Sequence, residues 1–248
     1  MRHFCIAFAI GLVCFALADC KHRAAVTARK VEPMSPTAIV AYVQQQIAMA
    51  PRDDAGRPAE LERNKSEYFG CIEKNKTDDC RFMLCSPYAI YAGDEHFQLG
   101  QFDDAFTFYA GAHELLQNEI ANTTERRNER EAEFDAKTKA GKADEQDRRQ
   151  FLYSRAILSH NLYRNYASLA RVLERFALVF DKQGKTAEAA NARTVRDGLV
   201  RSSADEYAEY FKNRQQLLPL LDPKDPKKGT NYLSVVNDMD GLLEIRHF

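Results

Sequence analysis

The chain has 248 residues, of which 35 are basic and 36 acidic, a formal net charge of -1, and 45% hydrophobic and 29% charged positions. That length suffices for one or two domains with a full hydrophobic core, and the balanced charge excludes the Lys/Arg excess that bulk attraction to nucleic acid requires. Beyond the first 19 residues no apolar run is long enough to span a bilayer.

Arg2 and His3 give a short basic start, and Phe4 to Ala18 form an apolar stretch broken only by Gly11. This is the layout of a secretory leader, so residues 1–19 are read as a signal peptide. Two endings fit. Ala16-Leu17-Ala18 is an A-x-A site with cleavage before Asp19, which implies a secreted or soluble periplasmic protein. Leu17-Ala18-Asp19-Cys20 resembles the lipobox of bacterial lipoproteins, with Asp19 in place of the usual small residue. That resemblance implies acylation of Cys20 and a membrane anchor. Lys21, rather than Asp, follows the cysteine, which by analogy with lipoprotein sorting implies an outer-membrane protein facing the periplasm.

Residues 20–35, with Pro33 and little apolar periodicity, read as a tether to a single helical domain over 36–248. Ile39, Val40, Val43 and Ile47 recur at helical spacing after a capping Ser35 and a first-turn Pro36, predicting a helix from Pro36 to Ala48. Pro51 to Pro58 reads as a loop and Ala59 to Glu73 as a weaker helix. The next stretch, GCIEKNKTDDCRFMLCSP, reads as an irregular connection. It holds Cys71, Cys80 and Cys85, and in an oxidising compartment at least one disulfide among the three is expected. Their separations of nine and five residues, with no His between Arg23 and Asp94, do not suit zinc.

From Ser86 to Asn118 the chain reads as a helical hairpin. Gly93 suits a close helix contact, Gly100 a left-handed cap, Phe102 the turn, and Ala105, Tyr109 and Ala112 a packed second helix. The segment FQLGQFDDAFTFYAGAHELLQN resembles a tetratricopeptide repeat, a helix-turn-helix unit of about 34 residues. Ala89, Ala92, His96 and Gln117 depart from its pattern. A second unit near 170–200 is carried by Phe176, Ala177, Phe180, Gly184 and Ala189, and is broken by Arg193 and Arg196. The two turn glycines are 84 residues apart, so the units do not form a regular array. The resemblance implies a scaffold whose first helices line a concave face, which makes Asp94 and Phe97 the candidate partner-binding residues.

Between the units, Glu125 to Arg149 contains eight acidic and eight basic residues and scarcely any apolar ones. Glu133 with Lys137, Asp135 with Lys139, Asp144 with Arg148 and Glu145 with Arg149 have the acid four residues before the base, the favourable order on a helix. A helix polar on all sides projects into solvent or meets a partner, and Gly141 marks the tip of a long charged hairpin. A long helix then runs to Gln183 on an apolar stripe of Leu158, Leu162, Tyr166, Leu169, Leu173, Phe176 and Phe180. Tyr153, Tyr163 and Tyr166 with His160 read as core with hydroxyls directed outward. Thr186 reads as the cap of the next helix and Ser202 or Ser203 as the start of another, with a prolyl tail from Pro219.

The expected fold class is all-α, a helical bundle or short superhelix of tetratricopeptide-like hairpins with one long charged hairpin. No G-x-S-x-G elbow, P-loop, HExxH or dinucleotide fingerprint occurs. The paired acids Asp103 with Asp104, and Asp238 with Asp240, suit a helix start and a polar turn. The function expected is therefore a non-enzymatic envelope scaffold for a protein partner, with no cofactor, metal or nucleic acid. A structural or accessory subunit of a secretion, pilus or other envelope assembly is the alternative. A periplasmic small-ligand binder using the Tyr/His group is a third.

Overall fold

The computed structural model describes residues 28, 30–48, 58–77, 85–222, 224–225 and 230–243. Among them are seven α-helices and no strand: α1 Pro36–Ile47, α2 Pro58–Thr77, α3 Ser86–Gln98, α4 Phe102–Lys139, α5 Glu145–Lys182, α6 Thr186–Leu217 and α7 Thr230–Gly241, with a 3-10 turn Leu218–Leu220 after α6. The fold is all-helical, as expected. None of the described helices is long and apolar enough to cross a membrane.

Helix α1 starts as its residues dictate: the Ser35 hydroxyl accepts from the Ala38 N–H at 3.2 Å and Pro36 occupies the first turn. Helices α3 to α6 run back and forth through three glycine turns of one type. Gly100, Gly141 and Gly184 have φ of 73°, 66° and 73°, where a Cβ is disfavoured. In each, the glycine N–H and the following N–H return to carbonyls of the last helical turn, as Gln101 to His96, Lys142 to Lys137 and Lys185 to Phe180. The residues after Gly100 and Gly184 share one conformation, φ -90° with ψ 69° at Gln101 and φ -90° with ψ 70° at Lys185. Four residues further on, Ala105 and Ala189 are both fully buried.

Two apolar cores meet along α5 and α6. One joins Ile39, Val43 and Ile47 of α1 to Leu152, Ala156 and Tyr163 of α5, Tyr207, Tyr210 and Phe211 of α6, and Val236 and Met239 of α7. The other joins Ala89 and Ile90 of α3, Ala105, Tyr109, Ala112 and Leu116 of α4, and Leu169, Val172 and Val179 of α5. A small satellite of Ala177, Ala189 and Ala192 lies under Phe176 and Phe180.

Several local readings need correction. Helix α2 runs on through Cys71 to Thr77, since nothing after Gly70 breaks it and Cys71 is tied to the start of α3. Thr186 is the first helical residue, not the cap, and Lys185 before it caps with no side-chain bond. No helix begins at Ser202 or Ser203: α6 is continuous, and the buried Ser203 hydroxyl donates to the Tyr163 carbonyl at 2.9 Å instead of to a helix start. Part of the tail is helical, because Leu233, Val236 and Met239 bury one face of α7.

The charged hairpin is tied to the bundle rather than held free of it. Arg127 pairs with Glu206 of α6 at 2.6 Å, Arg155 with both Glu131 and Glu209, and Lys137 with Asp147 at 2.9 Å. The rings of Phe134 and Phe151 stack at 4.2 Å beneath them. Of the expected pairs, Glu133 with Lys137 closes to 3.6 Å and Glu145 with Arg149 to 2.5 Å. Asp144 instead caps α5, accepting from the Asp147 N–H at 2.8 Å while Asp147 reaches back to the Asp144 N–H.

Candidate functional site

Two surfaces and two buried polar groups organise the chemistry. The first polar group lies where α3, α4 and α5 meet. Asp94, 1% exposed, accepts from the Tyr109 hydroxyl at 2.7 Å, from Arg175 Nε at 2.9 Å and from Arg171 Nη2 at 3.4 Å. Gly93 makes this approach possible, because any Cβ there would stand 2.4 Å from the Tyr109 ring. Burial, followed by the field of Asp94, holds the Tyr109 phenol far above its ordinary range. Burial lowers the Arg171 pKa from its ordinary value while Asp94 opposes that change.

The second group joins α6 to α7. Arg214 grips Asp240 from Nε at 2.9 Å and from Nη2 at 2.7 Å, and the Tyr210 hydroxyl donates to the same carboxylate at 2.6 Å. The buried Tyr163 hydroxyl donates to the Leu243 carbonyl at 3.0 Å. His160, buried against the rings of Tyr163 and Tyr210, has its pKa lowered to about 4, first by desolvation and then by Arg164. The tyrosine hydroxyls therefore do not all point outward: Tyr163 points inward, because the backbone after α7 supplies its acceptor.

Among the described residues, Phe69 and Phe106 are exposed aromatic rings on or beside α4, and Leu99, Val195 and Leu242 are exposed elsewhere. Phe106, 37% exposed, packs its ring 4.9 Å from Phe176 and 5.7 Å from Phe180, with Lys185 Nζ 5.8 Å from the Phe180 ring. On the α2 side, Phe69 is 54% exposed and lies against Tyr68 and Phe108, and His96 stacks on Phe108. An open cavity of about 380 Å³ is lined by Gln101, Asp103, Asp104 and Gln183, where Gln183 Nε2 donates to Asp103 at 2.9 Å and joins the two turns. A second, of about 150 Å³, lies between α1 and α6 at Ile47 and Arg196.

The residues singled out from sequence fall in different places. Cys71 and Cys85 form a disulfide with Cα atoms 5.7 Å apart. Cys80 and Cys20 lie outside the described residues. Asp94 does not face an open groove: its carboxylate is claimed by Tyr109 and two arginines, which draw it into the interior. Phe97 is half-buried, with its ring 5.4 Å from Phe102 at the turn. Sequence reasoning passed over Arg171, Arg175 and Arg214. Arg175 carried a usable signal, because it stands three residues after Val172 and four before Val179 on a buried face.

Among the described residues, no group of three or more His, Cys, Asp or Glu side chains is placed to hold a metal ion. The arrangement offers helix-borne aromatic surface and internal ion pairs. No protein family, curated protein or solved structure matches the chain.

Proposed function

We propose that the protein is a non-enzymatic scaffold of the bacterial cell envelope, anchored through an acylated Cys20, that holds a protein partner against the aromatic face of its paired hairpins. The observation that carries this reading is the ring cluster of Phe106, Phe176 and Phe180, in which an exposed Phe106 ring rests on two half-buried rings carried by α5. Aromatic side chains on such elements make strong anchors for a partner's apolar side chains. The shared geometry of the Gly100 and Gly184 turns adds support, since stacked helical hairpins present extended surfaces suited to peptide or helix binding.

A photo-crosslinking residue placed at Phe106, and separately at Phe69, in intact cells tests the reading. The expected result is one protein adduct from Phe106, lost when Phe176 is also changed to Ser. Absence of any adduct from both positions overturns it. Metabolic labelling with an alkyne fatty acid tests the anchor, with label expected on the wild type and none on Cys20→Ala.

A further inference from the structure

After Thr123, its last buried residue, α4 meets the bundle along a single seam. From Glu125 to Lys139 only Arg127, Glu131, Phe134 and Lys137 are not exposed, at steps of four, three and three residues. Positions with that spacing ordinarily carry the apolar side chains that hold a helix to its neighbours. Here three of the four are charged. Arg127 meets Glu206 of α6 at 2.6 Å, Glu131 meets Arg155 of α5, which also reaches Glu209 of α6, and Lys137 meets Asp147 at 2.9 Å. Phe134 adds its ring contact with Phe151.

The seam is imperfectly matched. Arg155 Nε and Glu206 Oε2 are buried with no hydrogen-bond partner among the described residues, so docking desolvates groups that water would satisfy. Ion pairs that stay partly exposed contribute little, and they weaken as salt shortens the Debye length from about 30 Å at 0.01 M to about 3 Å at 1 M. The neighbouring segments are held differently. Earlier in α4, Ala105, Tyr109, Ala112 and Leu116 belong to the second apolar core, and Leu152 and Ala156 fix the start of α5 in the first. The weakly held element is therefore α4 beyond Thr123. It lies over the flank of α5 between Phe151 and Tyr166, whose phenol feels both members of the Arg127–Glu206 pair.

We propose that α4 from Thr124 to Lys139 is a detachable strap, closed over α5 by an ionic seam and freed when that seam is weakened, while the rest of the bundle stays folded. Release uncovers Phe151 and extends, toward the hairpin tip, the α5 stripe that ends in Phe176 and Phe180. It needs no partner, so its failure leaves the scaffold reading standing.

Hydrogen exchange of the full chain at neutral pH, in about 0.01 M and about 1 M NaCl, tests the strap. A lone helix of this length is marginal in water, so an undocked strap exchanges as coil. The expected result is that amides of 124–139 quicken about tenfold at high salt relative to those of 105–116. The triple variant Arg127→Leu, Glu131→Leu, Glu206→Leu makes the seam apolar and leaves Arg155 to Glu209, so its salt response should disappear. The chain has no tryptophan, and Phe134→Trp supplies a single emitter whose fluorescence should shift to the red as salt rises and return on dilution. Wild-type exchange decides whether the strap opens, and the triple variant decides whether the seam is ionic. Exchange over 124–139 that is insensitive to salt, that rises in step with 105–116, or that quickens equally in the triple variant overturns the proposal.

Discussion

The Tyr109 ring occupies the space that a side chain on Gly93 would need: a Cβ there would lie 2.4 Å from Cε1 and 2.6 Å from Cδ1. The ring cannot back away freely, because its hydroxyl is held by Asp94 at 2.7 Å. Gly93→Ala should therefore destabilise the protein by about 1 to 3 kcal/mol through overpacking, despite the better helix propensity of Ala. Urea denaturation measures it. An unchanged midpoint would show that α3 and α4 can separate at no cost.

Asp240→Ala leaves Arg214, 6% exposed, without its carboxylate at the interface with α7. Removing one partner of a buried pair costs about 3 to 5 kcal/mol when the other stays buried. Undocking of α7 would relieve that cost by letting water reach Arg214. Hydrogen exchange should accordingly quicken across 230–243 while α3 and the first turns of α4 keep their protection.

Acid should weaken the same region through His160. Its folded pKa is lowered to about 4 from the ordinary 6.5 by desolvation and Arg164, with Asn161, the Met239 backbone and Asp240 opposing. The unfolded chain therefore binds the proton first as pH falls. The stabilising contribution is complete above 6.5 and is lost between 6.5 and 4, amounting to a loss of about 2 kcal/mol from pH 7 to pH 4.5. Denaturation curves at the two pH values, compared with His160→Gln, measure it. Equal pH slopes in the two proteins would contradict the assignment.

The Cys71–Cys85 disulfide spans a sequence separation of 14 residues. A loop so short bounds its stabilisation at about 3 kcal/mol. Because the bond joins α2 to the start of α3, replacing both cysteines with Ser should loosen α2 and leave the second apolar core folded. Limited proteolysis is expected to cut the variant within α2 first. Peptide mapping without reductant should recover the linked pair from the wild type.

The turns were legible because their chemistry is local: a glycine at positive φ, then an alanine that must be small, can be recognised without knowing any partner helix. The stripe on α5 was legible in part: Leu162, Leu169 and Leu173 are buried, Leu158, Tyr166, Phe176 and Phe180 are half-buried, and Ala156, Tyr163, Ala170 and Val179 bury the other faces. Asp94 was not legible, since a charged residue reads as surface until the register between α3 and α5 brings the opposite charge to it. Ser203 misled as a helix start because its hydroxyl finds its acceptor on Tyr163, forty residues away. Helix α7 is short, and what stabilises it is docking of Leu233, Val236 and Met239 on other helices, which no local pattern reveals.

The Met34 N–H donates to the Tyr207 hydroxyl at 3.2 Å, pinning the start of the domain to the flank of α6. Met34 stands 14 positions after Cys20, and a chain of that length cannot exceed about 50 Å. With the proposed lipid on Cys20, Tyr207 is leashed within that radius of the bilayer. Any partner must then come within reach of the membrane surface to meet it.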